Sequence, residues 1–381
     1  MVEVSKTKRL ISGNQPRRTP PGAPPGTIVV DPNAPKTRIS AIAYESDTLE
    51  ERTEITLSDM RELRANKGVL WIDIDGLGDV SVLKMIGDEF GLHNLALEDV
   101  VNVHQRPKME DYEDHLFIVC RMPCVDHFLQ TEQICLFLGP DFVITFQERP
   151  GDVFEPVRNR IRTSRGRIRN SGADYLAYAL MDAVTDGYYP VLENFGDHLD
   201  DLEELIMTDP LPEDVKRIHV LKRDLLTVRR AVWPLREMLN TMIRDESPLI
   251  TDQIKIYLRD CADHTFQLID LIETYREIVS DLTDIFLSAQ STRMNEVMKV
   301  LTVIATIFMP LTLISSIYGM NFDTKSSHWN MPELGWSFGY PLTMAGMFVI
   351  AIGMLLYFRK RGWVGRRIRR RRARRSAQSH R

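Results

Sequence analysis

Few side chains in this sequence are spaced for covalent chemistry, and the clearest spacing suits a cation. Asp263, Asp270, Glu277 and Asp284 recur every seven residues, and the same step continues through Ser291, Met298, Ala305 and Thr312 to Gly319. A seven-residue period keeps side chains near one face of a helix, so an acidic stripe leads into a neutral one bearing hydroxyl and thioether groups. The stripe ends at Tyr318-Gly319-Met320-Asn321, where an uncharged run of 23 residues from Val300 to Phe322 closes. A carboxamide offers a carbonyl oxygen that accepts hydrogen bonds from the waters around a dication. Being neutral, the amide would hold a cation less tightly than a carboxylate does. Gly319 lets the backbone turn and approach closely. Two plainer readings stand beside this one: Asn321 as the cap of a helix, and the acidic stripe as a solvated helix face.

Catalytic alternatives fail on spacing. Asp73-Ile74-Asp75-Gly76-Leu77-Gly78 opens like a calcium loop, but Leu77 and Lys84 occupy its fifth and twelfth positions, where oxygen ligands belong. No phosphate-binding glycine loop or HExxH zinc motif occurs, and the nine histidines are scattered. The expectation is a protein that is not an enzyme and has no organic cofactor.

The elements that must position the stripe are two membrane spans. Val300–Phe322 and the 25 uncharged residues Leu334–Phe358 each exceed the ~20 residues needed to cross a bilayer. About ten residues link them, so they form a hairpin. Twelve of the 48 Lys and Arg residues lie from Arg359 to Arg381, with no acid among them. This basic tail places the C-terminus, and after two crossings the N-terminal body, on the cytoplasmic side, against anionic headgroups. The remainder carries 36 basic against 53 acidic residues, a balance of −17, which disfavours nucleic acid and favours cations. Cys120, Cys124, Cys135 and Cys261 form no paired framework, as expected in a reducing compartment. The first span carries Thr302, Thr306, Thr312, Ser315 and Ser316, which either bond back to their own helix or line a wet path. Two helices enclose no pore alone, so a path requires an oligomer.

The body reads as a small α/β domain over 26–150. Strands are expected at 68–75 and 115–123, a hairpin is turned at Gly139-Pro140, and helices are expected in 82–91 and 94–101. A helical layer follows over 151–248, with one long helix expected from Ala173 to Met207 and another ending near Arg244. A third starts near Leu249 and meets no proline or glycine before Pro310; at ~1.5 Å per residue it reaches roughly 100 Å by Gly319. The expected organisation is a disordered lead-in over 1–25, a pore helix over 249–322, an outer loop over 323–337, a second span over 338–358 and a basic tail over 359–381.

Tyr318-Gly319-Met320-Asn321, at the end of the first of two C-terminal spans, resembles the signature of the CorA family of magnesium transport proteins. "LEDVVNVHQRPKMEDYE" (97–113), "WPLRE" (233–237), "NEVMKVLTVIATIFMPLT" (295–312) and "MPEL" (331–334) resemble further family segments, and the likeness covers roughly residues 25–362. It implies a funnel-shaped homopentamer in a cell inner membrane: an α/β cytoplasmic domain, long α-helices and a two-helix membrane domain. The filter falls on Gly319, Met320 and Asn321, the apolar constriction on Met298, Leu301 and Met309. Polar pore positions fall on Asn295 and Thr312, and the acidic inner mouth on Asp284. Regulatory divalent sites between neighbouring subunits fall on Glu98, Asp99, Asp182 and Asp260. The implied activity is Mg²⁺ uptake, with Co²⁺ and Ni²⁺ as further substrates, driven by membrane potential and closed by cytoplasmic Mg²⁺. A proton-coupled zinc transporter of the same superfamily is the alternative. The long Arg-rich tail and an outer loop with Lys325 and His328 but no acidic cluster depart from the family pattern.

Overall fold

In a computed structural model, residues 19–20, 22–65, 68–125, 129–323, 325–327 and 329–364 are described. Most of the lead-in, the tail beyond residue 364 and His328 lie outside them. The chain divides into two compact units, Met1–Thr283 and Asp284–Arg381.

The first unit is built on a seven-stranded sheet of order β2-β1-β3-β7-β6-β5-β4. β3 (Val69–Asp75) and β7 (Phe142–Gln147) are buried almost throughout and pair in parallel, Leu70 opposite Phe142. Burial on both faces is why apolar residues fill consecutive positions, 69–72 and 142–144, rather than alternating. β5 (Leu116–Val125) and β6 (Leu129–Leu138) pair antiparallel, as do β6 and β7. The β6–β7 hairpin turns at Gly139, where a Cβ would lie 2.3 Å from the Phe142 ring, so only glycine fits. β1 (Arg38–Tyr44), β2 (Leu49–Thr53) and β4 (Lys108–Asp111) complete the sheet.

On one face of the sheet lie α1 (Leu57–Ala65), α2 (Val80–Phe90) and α3 (Asn94–Val101). Met60, Leu83, Ile86, Leu97 and Val100 share a core with Leu70, Ile72, Phe137 and Ile144. α2 is capped by the Asp79 carboxylate and stopped at Gly91, in the left-handed region at φ 68°. On the other face Trp71 meets Phe154 edge-on, just before α4 (Glu155–Arg162), and α5 (Ala173–Asp186) packs on β5, β6 and β7.

The long helix expected from Ala173 to Met207 is instead two, α5 and α6 (Tyr188–Thr208), divided at Gly187. Pro190 has no N–H to give the Asp186 carbonyl, and the Tyr188 ring is buried with its hydroxyl donating to Arg121 O at 2.7 Å. α7 (Asp214–Arg244) follows, then α8 (Asp252–Tyr318), one helix of 67 residues that starts three residues later than expected and continues past Pro310. Loss of one backbone bond at a proline is tolerated in such an apolar helix because neighbouring polar groups can satisfy the freed carbonyl. In the first unit α8 is held by Arg229 to Glu273 (2.7 Å), by Thr185 to Cys261 (3.4 Å) and by Tyr257 against Tyr175 and Tyr178. The four cysteines are unpaired, and three of them are buried.

The second unit holds the outer part of α8, a connection containing a short turn of helix at Pro332–Gly335, and α9 (Gly339–Lys360). α8 and α9 are both long and apolar enough to cross a membrane.

Candidate ion pathway and cation-binding carboxylates

α8 ends at Tyr318. The Gly319 N–H still reaches the carbonyls of Ser315 (3.0 Å) and Ser316 (3.2 Å), and the Met320 N–H reaches Ile317 (3.2 Å). Backbone donors therefore close the last turn. Asn321 is exposed, and its side chain makes no hydrogen bond among the described residues, so it is not acting as a cap. Asp284, Asn295, Met298, Leu301, Met309, Thr312 and Met320 are all exposed in the single chain, Met309 at 71%. Thr302, Thr306 and Thr312 each donate their hydroxyl to the carbonyl four residues back, at 2.7, 2.7 and 2.8 Å. Backbone bonding thus accounts for where these hydrogens go, yet each oxygen keeps lone pairs as an acceptor.

The four carboxylates expected to be regulatory occupy contrasting surroundings. Glu98, on α3, is only 4% exposed. It accepts the Gly26 N–H at 2.7 Å and the Thr19 hydroxyl at 3.2 Å, and Asn102 in turn donates to Thr19. The end of the expected disordered lead-in is therefore placed against α3, because a buried carboxylate must find donors. Asp99 is half-buried beside a cleft of about 340 Å³. It accepts from Gln105 at 2.7 Å and pairs with Lys108 at 2.6 Å, while Lys108 also reaches Glu110. Burial alone would depress the Lys108 ammonium; its bonds to Asp99 and Glu110 outweigh that and hold it above the usual lysine range.

Asp182, on α5, has no hydrogen bond or ion pair among the described residues. Burial, and then the charge of Asp186, push its carboxyl up to about 6, with Asp260 adding in the same direction and His264 and Arg160 opposing. It lines an open cleft of about 380 Å³ with Asp186 and Arg160. Asp260 is exposed on α8. The structure therefore makes Asp182 and Asp260 electrostatic neighbours, whereas Asp99 lines a different cleft.

Sequence reasoning missed several participants. Thr19 carried no signal, being 79 residues from Glu98, and Lys108, nine residues after Asp99, stands on β4 at no spacing that links it to α3. Asp186 and His264 did carry one: each lies four residues after a named acid, Asp182 or Asp260, hence on the same helix face. One donor atom each from Asp182, Asp186 and His264 lies within 4.8 Å of the others. The calcium-loop resemblance at Asp73 is confirmed as coincidental, since Asp73 is a buried strand residue bonded to Thr145, Gln147 and Arg158.

The family model described as CorA-like Mg2+ transporter protein matches residues 66–360. A cobalt/magnesium transport protein CorA of Thermotoga maritima is 46% identical over 347 residues, covering 90% of this chain and 97% of the relative. The complete structure of the CorA magnesium transporter of Methanocaldococcus jannaschii superposes with a TM-score of 0.72 at 25% identity, over 86% of this chain and 98% of that one. The ZntB cytoplasmic domain of Vibrio parahaemolyticus shares the fold at a TM-score of 0.53 and 12% identity, over 67% of this chain and 98% of that one. With its α/β domain, long helices and two helices able to cross a membrane, this chain belongs to the CorA family and is a divalent cation transporter of the membrane, not an enzyme.

Proposed function

We propose that the chain carries Mg²⁺, with Co²⁺ and Ni²⁺ as further substrates, inward through a cell membrane, and that it works as a homopentamer. The first spans line the route, with both termini on the cytoplasmic side. The observation that carries this reading is the Asn321 carboxamide, exposed just beyond the end of α8 and free of hydrogen bonds among the described residues. A ring of such amides, with Gly319 and Met320, is the filter. Its carbonyl oxygens accept from the ion's waters without stripping them. Below it Thr312 and Asn295 supply polar contacts, and Met309, Leu301 and Met298 form an apolar neck that closes by dewetting. Asp284 concentrates cations at the inner mouth. Two charges moving through 100 mV gain roughly 4.6 kcal/mol, sufficient to drive uptake.

Cytoplasmic Mg²⁺ closes the route by bridging carboxylates of adjacent subunits, drawn from Glu98, Asp99, Asp182 and Asp260. Their like charges repel unless a dication lies between them. A cation at Asp99 competes with the Lys108 ammonium, and one at Glu98 competes with the Gly26 N–H and Thr19 hydroxyl.

The test is Mg²⁺ influx into dye-loaded liposomes under an inside-negative potential, compared with Asn321→Ala. Influx that follows voltage and falls at least tenfold in the variant supports the filter. Influx unchanged by the substitution removes Asn321 from that role. Influx that tracks a pH gradient and favours Zn²⁺ moves the protein to the proton-coupled reading.

A further inference from the structure

We propose that Asp182, Asp186 and His264 form a divalent transition-metal site contained within one chain, one that takes Co²⁺, Ni²⁺ or Zn²⁺ in preference to Mg²⁺. The proposal shares Asp182 with the regulatory reading above, but it needs no neighbouring subunit and adds a nitrogen donor that reading lacks.

The placement comes from two helices. Asp182 and Asp186 stand one turn apart on α5, so their carboxylates share a face. His264 is on α8, which is fixed against α5 close by through Thr185 and Cys261. The three donor atoms lie within 4.8 Å of one another. Bonds of about 2.1 Å put ligands of one ion roughly 3.0–3.5 Å apart, so closing on a cation takes a contraction of order 1 Å. Side-chain rotation covers that distance.

The groups are also available. No hydrogen bond or ion pair among the described residues engages either carboxylate, and none joins the imidazole to them. His264 Nδ1 is sealed from solvent without a hydrogen-bond partner. No hydrogen bond among the described residues therefore fixes the ring's proton, and a lone pair remains free for a metal. Both acids border the cleft of about 380 Å³, which gives an ion and its remaining waters a way in. The cation facing the cleft, Arg160, is bonded to Tyr175 and forms no ion pair with either acid. Two carboxylates are thus left close together with no ion-paired cation among the described residues.

Ligand chemistry selects the ion. Mg²⁺ demands an octahedral shell of oxygens, whereas imidazole suits Co²⁺, Ni²⁺ and Zn²⁺. Two oxygens and one nitrogen, with open positions for water, fit the second group.

The experiment uses untagged full-length protein in detergent with one equivalent of Co²⁺ per chain. X-ray absorption at the cobalt edge is expected to show an imidazole nitrogen in the first shell, lost in His264→Gln. A wild-type shell of oxygens alone overturns the proposal, and this measurement needs no variant to fold. In competition titrations, His264→Gln and Asp186→Asn are each expected to weaken Co²⁺ binding at least tenfold, while Mg²⁺ affinity in His264→Gln changes less than about twofold. Equal weakening of both ions, or of neither, also overturns it. Because binding is read rather than flux, this site and the transport reading can fail separately.

Discussion

Four carboxylates of the sheet side and three of the helical layer are treated oppositely by the same chain. On the sheet side four acids have donors: Asp73 and Asp152 share Arg158, Glu98 holds Gly26 and Thr19, and Asp99 holds Lys108 and Gln105, whereas Asp75 on β3 keeps a buried carboxylate oxygen without a hydrogen-bond partner. Across α5 and α8, Asp182, Asp186 and Asp260 have none among the described residues. A satisfied acid contributes to the fold as it stands. An unsatisfied pair costs stability until something positive arrives. The first group therefore reads as structure, and the second as a place where an ion, or a neighbouring subunit's cation, completes the chemistry.

The strongest test of this contrast is Arg158→Met. It leaves Asp73 and Asp152 buried without their shared cation, and breaking such a pair costs about 3–5 kcal/mol. The melting midpoint of the detergent-solubilised protein should fall by several degrees whether or not divalent ions are present. A loss that added Mg²⁺ repairs would place Asp73 and Asp152 with the ion-binding acids and erase the distinction. Next in size is a matched pair of variants. Glu98→Ala removes two bonds to a charged acceptor, each worth about 1.5–3 kcal/mol, and should speed amide hydrogen exchange at Gly26. Asp186→Asn removes a like charge from beside Asp182, so in chelator it should leave the midpoint unchanged or raised. If Asp186→Asn destabilised the ion-free protein as much as Glu98→Ala, the two groups would not differ.

The contrast was only half legible in the sequence. The fold was readable where a pattern is both strong and local. β3 and β7 announce themselves by consecutive apolar residues at 69–72 and 142–144, the β6–β7 turn by Gly139-Pro140, and the two spans by the absence of charge. β2 was not, because "LEERT" is a polar edge strand whose place depends on its pairing with β1. The division at Gly187 was missed because amphipathic periodicity continues across it, while Pro190 and the buried Tyr188 decide the break. The residues proposed for the pathway are exposed on the single chain, so nothing within one copy marks them as a set beyond the seven-residue stripe. The donors that satisfy Glu98 and Asp99 arrive from 72 residues before Glu98 and nine after Asp99, and no spacing rule links them.

An intermediate case sharpens the comparison through pH. Glu132, on β6, is buried yet only partly compensated, by the Arg149 N–H at 2.8 Å and the Cys124 thiol at 3.3 Å. Burial first, with Glu148 adding in the same direction, pushes its carboxyl up to about 7 against those two donors. A folded-state value above the unfolded one means that folding favours the protonated acid. Its contribution to stability is therefore full below about pH 4.5 and lost as pH rises through about 7. The midpoint of the wild-type protein should decline across that window, and Glu132→Gln should decline less. Identical pH profiles would mean that Glu132 is better satisfied than its surroundings indicate.

The smallest expected effect on stability comes from Lys108, and it bears most directly on how a satisfied acid could still serve an ion. The Lys108 ammonium lies 2.6 Å from both Asp99 and Glu110, and all three side chains are about a quarter to two-fifths exposed. Ion pairs this accessible contribute about 0–1 kcal/mol, so Lys108→Met should barely move the melting midpoint. Its effect on ion binding should be larger in proportion. In the wild type a cation approaching Asp99 must displace a resident positive charge, and in the variant it meets a free carboxylate. The internal Mg²⁺ concentration that half-closes the pathway should therefore fall, by roughly two- to fivefold if the pair is worth up to about 1 kcal/mol. Flux measured against internal Mg²⁺ in liposomes reads this without depending on the fold. An unchanged closing concentration would mean that Asp99 belongs wholly to the satisfied, structural group, and that regulation by Mg²⁺ rests on Asp182 and Asp260.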